Sequence, residues 1–181
     1  MDYTNLSSLA RLKRAYGILE KLTPLGFDCG LLCNKRCCKG GTDDGMHLYP
    51  GEEILLSNAD FFREIRSESL NGQKISYAIC KGKCKRTRRP LACRIFPLVP
   101  YISEDHRLYV IEDPRARYFC PLVMNIGVAK IRRSFRRQVY YTFRMLIEDP
   151  KVEEYILNLS FVLKEYAKFT GDNLDNIKKY Y

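Results

Sequence analysis

The sequence predicts an α+β fold, on three observations. Apolar residues recur at helical spacing near both ends of the chain, short β-like runs fill its middle, and the eight cysteines fall in that irregular middle. The expected architecture is a small, irregular, cysteine-rich and β-containing middle flanked by an N-terminal helix and two C-terminal helices. With 181 residues, 46% of them hydrophobic and 29% charged, the chain can bury one real core and is too apolar for a disordered segment. A single domain over 1–181 follows, with a cysteine-cluster region at 27–121 and a helical part at 122–171.

Taken in order, Leu6, Leu9, Leu12, Tyr16, Leu19 and Leu22 keep a helical repeat across residues 5 to 22, which Pro24 and Gly26 stop. "GMHLYP" reads as a short strand, and Pro50 opens a helical stretch through "GEEILL". "NADFFREIR" is expected to continue or restart that helix. From about 70 to 112, "QKISYAI", "IFPLVPYI" and "RLYVIED" are β-like runs separated by Gly, Pro and charged turns. One long helix is expected over about 123 to 148. Pro150 fits the first position of a second, with Asp149 as its N-cap. That helix should end near Gly171 and leave "DNLDNIKKYY" as a polar tail.

The cysteines occur as C-x3-C-x3-C-C (Cys29, Cys33, Cys37, Cys38) and C-x3-C-x8-C (Cys80, Cys84, Cys93), with Cys120 before Pro121. Their neighbours are Lys, Arg and Gly, so they follow no apolar face, and packing alone does not account for them. The sequence has no run of about 18 apolar residues and no signal-peptide-like apolar stretch, which predicts a cytoplasmic chain without a membrane span. In that compartment thiols stay reduced, and clustered cysteines are expected to ligate metal instead of forming disulfides.

Two metals suit the spacing. Cys29/Cys33 and Cys80/Cys84 have the separation of zinc knuckles. Cys29, Cys33 and Cys37 with a remote Cys120-Pro121 have the form of an iron–sulfur ligand set. Zinc and an iron–sulfur cluster both remain open. Adjacent Cys37 and Cys38 point apart in any regular backbone, so the pair is better placed serving two centres, or with only one of the two ligating, than as two ligands of one ion. Eight cysteines make two four-ligand sites with none to spare, which leans towards closed sites and away from a catalytic metal with an open position.

The formal charge of +10 raises nucleic-acid or acidic-protein partners, but it counts each thiol as neutral. Two four-thiolate zinc units would lower it to about +6. "CKGKCKRTRRPLACR" holds seven basic residues among three cysteines, and such neighbours favour the thiolate form that ligation needs.

Four stretches in this order, "CGLLCNKRCCKG", "GMHLYPGEE", "CKGKC" and "RRPLACRIFPLVPY", resemble the YkgJ-type cysteine-cluster family, described as a zinc- or iron-chelating domain. The resemblance covers about residues 27 to 121. It implies that Cys29, Cys33, Cys37 and Cys38 form the dense run, that Cys80, Cys84 and Cys93 form the later group, and that Cys120 is the terminal ligand. Here three residues separate Cys33 from Cys37 where the family name, CxxxCxxCC, implies two. The resemblance implies a site and no defined reaction.

The remaining candidates read as structural. His47 and His106 lie in no motif, with His47 the stray candidate for zinc. Glu52 and Glu53 sit where first-turn acids favour a helix dipole. "KIRRSFRRQVYYTFR" places Arg133, Arg136, Arg137, Tyr140 and Arg144 near one helical face, read first as a solvated basic face and second as a nucleic-acid contact.

Overall fold

Hairpins and helices share one main core. In the computed structural model, residues 7–39, 41–82, 84–124, 131–172, 174 and 179–180 are described. The chain order is α1 (Ser8–Ile18), α2 (Gly30–Cys33), β1 (Gly45–His47), α3 (Glu52–Leu55), β2 (Phe62–Leu70), β3 (Gln73–Cys80), α4 (Leu91–Ile95), β4 (Leu98–Ile102), β5 (Leu108–Glu112), α5 (Pro121–Met124), α6 (Arg133–Leu146) and α7 (Pro150–Phe169). The fold is α+β, with antiparallel sheets in the orders β1-β3-β2 and β4-β5. No helix among the described residues is long and apolar enough to cross a membrane.

The main core joins Leu12 and Ala15 of α1 and Leu19, which caps its end, to Val99 and Tyr101 of β4, Val110 of β5, Phe135, Val139 and Phe143 of α6, and Ile156 and Leu163 of α7. Fully burying each large apolar side chain is worth about 1.5–3 kcal/mol, so this set dominates stability. Tyr49 reaches in from the loop after β1 and packs its ring against Phe143 and Tyr155. A smaller cluster of Leu48, Leu56, Phe61, Phe62 and Ala78 lies under the three-stranded sheet.

Several elements follow the sequence reading. Asp149 caps α7 by accepting from Lys151 N–H, Pro150 occupies its first turn, and Gly171 follows it at φ +76°. β1, β3, β4 and β5 fall on the β-like runs.

Other expectations are corrected. Residues 62–66, read as helix within "NADFFREIR", belong to strand β2 (Phe62–Leu70). The reason is the Asn71-Gly72 turn, whose two positive φ values (48° and 85°) close a two-residue hairpin onto β3. "SLNGQ" carried that signal, and the alternation of Phe, Arg, Glu and Ile around it was not a helical stripe. The helix expected over 123–148 is not continuous. Arg132 leaves helical geometry (ψ 132°) and donates its N–H to the Pro24 carbonyl (2.9 Å), and α6 starts after it. Residues 125–130 of that expectation lie outside the described residues. The N-terminal helix is shorter than expected, ending at Ile18, and residues 5–6 of it lie outside the description. Much of the tail does too, but Tyr180 is buried and exchanges backbone hydrogen bonds with Val110, so the tail ends on the β4-β5 sheet.

Candidate metal centre

Local backbone chemistry sets out the first cysteine group. Asp28 Oδ1 accepts from Gly30 N–H (3.0 Å) and opens the single turn of α2, which puts Cys29 and Cys33 one turn apart. Asn34 and Lys35 then both take left-handed φ values (49° and 56°). For non-glycine residues this conformation is uncommon and costs energy. The double reversal swings the chain into a 3₁₀ turn, Arg36–Cys38, that carries the vicinal pair. Cys120 joins this group from the far side of the chain. It is buried with Ala116 and Leu122 at the start of α5, and Leu25, Cys29 and Phe96 pack beside it.

The second group sits on different supports. Cys80 closes β3, Cys84 follows in the loop, and Cys93 lies in the middle of α4. Gly82 (φ +79°) lets this loop meet the first: a Cβ there would stand 3.0 Å from the Cys38 carbonyl oxygen.

A buried polar hub holds α4 in place. Glu52 is wholly buried and accepts from the Tyr16 hydroxyl (2.5 Å), Tyr49 N–H (2.8 Å) and Leu91 N–H (2.8 Å). Arg94, 1% exposed, donates to the carbonyls of Arg89, Thr87 and Tyr16, and its guanidinium lies 4.4 Å over the Tyr16 ring. Burial pushes the Glu52 carboxyl up from the ordinary range, against the hydrogen bonds from Tyr16, Leu91 and Tyr49. Glu52 thus stands in the first turn as the sequence suggested, but it ties α1, the Tyr49 loop and α4 together instead of facing solvent along a helix axis.

The eight thiols are all free, and the structure sorts them around the vicinal pair. Cys29, Cys33, Cys37 and Cys120 line a small cavity of about 40 Å³, with Cys93 in its wall. Cys38, Cys80 and Cys84 line a separate, larger cleft. Cys93 faces both, because its electrostatic neighbours are Cys38, Cys84 and Cys80. As arranged, no three Cys, His, Asp or Glu side chains among the described residues converge closely enough to hold an ion.

The comparisons add no relative. No model of a known family, no curated protein and no solved structure matches the chain.

The electrostatics favour thiolates unevenly. Cys38 is lowered to about 6, first by a hydrogen bond from the Cys37 thiol, then against burial by Arg89 and Lys35. Cys37 is correspondingly raised, because it is the donor. Burial lifts Cys29 to about 11, with Cys120, Asp28 and Cys33 adding to it. Burial also raises Cys93, Cys80 and Cys120. Arg89 is held above its ordinary range despite burial, by a hydrogen bond with Cys84 and the charges of Cys84, Cys38 and Cys93. Arg89 is therefore the central counter-charge of the second group.

His47 is not among these thiols. It faces Glu68 (3.7 Å) and packs edge-on against Tyr77, and burial lowers its pKa. His106 sits at φ +57° in the β4-β5 turn. What the sequence reading missed are Arg89, Arg94 and Tyr16. The only available signal was the dense "RTRRPLACR" run, in which nothing separates a buried arginine from an exposed one.

Proposed function

We propose that the chain is a metal-binding cysteine-cluster protein with two four-thiolate centres, each holding zinc or part of an iron–sulfur assembly. One draws on Cys29, Cys33, Cys37 and Cys120, and the other on Cys38, Cys80, Cys84 and Cys93. The observation that carries this reading is that Cys29, Cys33, Cys37 and Cys120 line the small cavity and Cys38, Cys80 and Cys84 line the cleft, with Cys93 reaching both and counted here with the second. The donor set is all sulfur and all free, and Arg89 stands against Cys84, Cys38 and Cys93 as a counter-charge for thiolates. The order of motifs that resembles the YkgJ-type family supports the same conclusion. Two closed sites leave no position for a substrate, which favours binding or structural use over catalysis.

Elemental analysis of protein purified without oxygen tests this. The expected result is at least one equivalent of zinc, or of iron with acid-labile sulfide. Cys37→Ser and Cys38→Ser should each lose about half of the metal, and from different centres. Less than about half an equivalent of any metal in the unmodified protein would end the proposal.

A second reading is favoured by one observation. Arg133, Arg137 and Arg144 are exposed on α6 with Tyr141 beside them, 50% exposed, and the helix contains no acid. At about 1.5 Å per residue the three arginines span about 16 Å, and an exposed aromatic between them is a stacking platform for single-stranded nucleic acid. Fluorescence anisotropy at low salt should then show binding tighter than about 10⁻⁴ M, lost when Arg133, Arg137 and Arg144 become glutamine. Equal binding by that variant refutes the reading.

A further inference from the structure

The cleft beside the second cysteine group has a volume of about 640 Å³, against about 40 Å³ for the cavity of the first. Small-molecule sites run from about 300 to 1,000 Å³, so the cleft has the size of a ligand site and the cavity does not. Its charge is one-sided. Lys35, Lys39, Arg63, Lys81 and Arg89 line it, and among the described residues no Asp or Glu does.

These cations are more than the thiols require. A four-thiolate zinc carries about −2, and a fully thiolate-ligated iron–sulfur cluster is likewise negative. Five cations then leave a surplus of about +3, reduced to about +2 by Asp28, which acts on Cys38 from outside the cleft. Two of the five are delivered by special backbone. Lys35 is one of the two left-handed residues before the vicinal cysteines. Arg63 is the extra residue of a β-bulge: Phe62 pairs with Cys80 and Glu64 with Ile79, which leaves Arg63 unpaired in the ladder. Bulges of this kind re-aim one side chain, and this one stands against the strand end that carries Cys80.

We infer that the cleft binds a small organic anion bearing a phosphate monoester, held beside the second cysteine group. The inference rests on the proposed metal centre for its charge count, while the cleft and its cations stand without it. A phosphate dianion matches the surplus of about two charges, and the remaining volume accommodates the organic part.

Isothermal titration of the full chain with adenosine monophosphate, ribose 5-phosphate and inorganic phosphate at low salt tests this, with metal content measured on the same samples. The expected result is saturable binding of the organic phosphates at sub-millimolar Kd. Arg63→Glu should weaken it at least tenfold and Arg63→Gln about threefold or more. Lys151→Glu, an equal charge change on exposed α7, should leave it unchanged. Equal affinity for inorganic phosphate would keep the anion site and identify free phosphate as its ligand. No saturation below about 10 mM for any probe, or equal weakening by Arg63→Glu and Lys151→Glu, overturns the inference. Phosphate binding by metal-free protein would sink the metal proposal and leave the cleft, whereas metal without phosphate binding would sink the cleft alone.

Discussion

Replacing Glu52 by alanine should destabilise the protein by about 3–5 kcal/mol. The carboxylate receives three hydrogen bonds, from Tyr16, Tyr49 and Leu91, in a site with no solvent access. Alanine leaves the buried Tyr49 and Leu91 N–H groups and the half-buried Tyr16 hydroxyl without their acceptor, each buried donor costing about 1–3 kcal/mol before relaxation. It also removes the carboxylate that acts on Arg94, a wholly buried guanidinium. Glu52→Gln keeps the shape and one acceptor oxygen, but turns an NH2 towards groups that are themselves donors, so a loss of about half that size is expected. Urea unfolding monitored by circular dichroism measures both. Because Leu91 N–H anchors the start of α4, the same variants should make Cys93 react faster with a thiol reagent. A Glu52→Ala protein within about 1 kcal/mol of the parent would show that the hub carries little of the fold.

Stripping metal should loosen the two cysteine loops and leave the helical core intact. Within residues 29–38, only Gly30 is buried, and the segment contributes no side chain to the main core. The loop after Cys80 is little better supported until Pro90. Without thiolate–metal bonds, the first segment holds a few turn hydrogen bonds and the second adds exposed or half-buried side-chain bonds from Lys81, Arg86 and Arg88 and the brace from Arg94, so their opening free energy is well below that of the core. By contrast β4, β5, α6 and α7 share the main apolar core and do not depend on the cysteines. Hydrogen exchange with and without a chelator should therefore show amides at 30–39 and 80–89 accelerating at least a hundredfold, with α6 and α7 unchanged. Equal protection in both conditions would mean that metal does not order these loops. Collapse of α7 protection as well would mean that one cooperative unit includes both parts.

The charge pattern connects these expectations. Arg86 donates to the carbonyls of Glu20 and Leu22 and also lines the small cavity, and Arg94 braces the loop before Cys93. Basic residues that look alike in sequence thus divide into three kinds of work. Some are braces for backbone carbonyls, one is the thiolate counter-charge at Arg89, and others are exposed charges on the cleft and on α6.

The sequence by itself determined the α+β class, the capped start of α7, the strands β3 to β5 and the two local groups of cysteines. Those properties are local: an N-cap, a proline, a run of β-branched and aromatic residues, or a spacing of thiols is legible without knowing what lies across the fold. The tertiary structure decided the rest. β2 is a strand because the Asn71-Gly72 turn pairs it with β3, and the long C-terminal helix is interrupted because Arg132 bonds to a carbonyl more than 100 positions earlier in the chain. Glu52 changed from a first-turn acid to a buried acceptor because Tyr16 and Leu91, remote in sequence, close over it. The partition of the thiols is of the same kind. The spacing shows two groups of cysteines, but which sulfurs share a cavity depends on where β3, α4 and Cys120 are packed, and that is set by a core containing none of the first group.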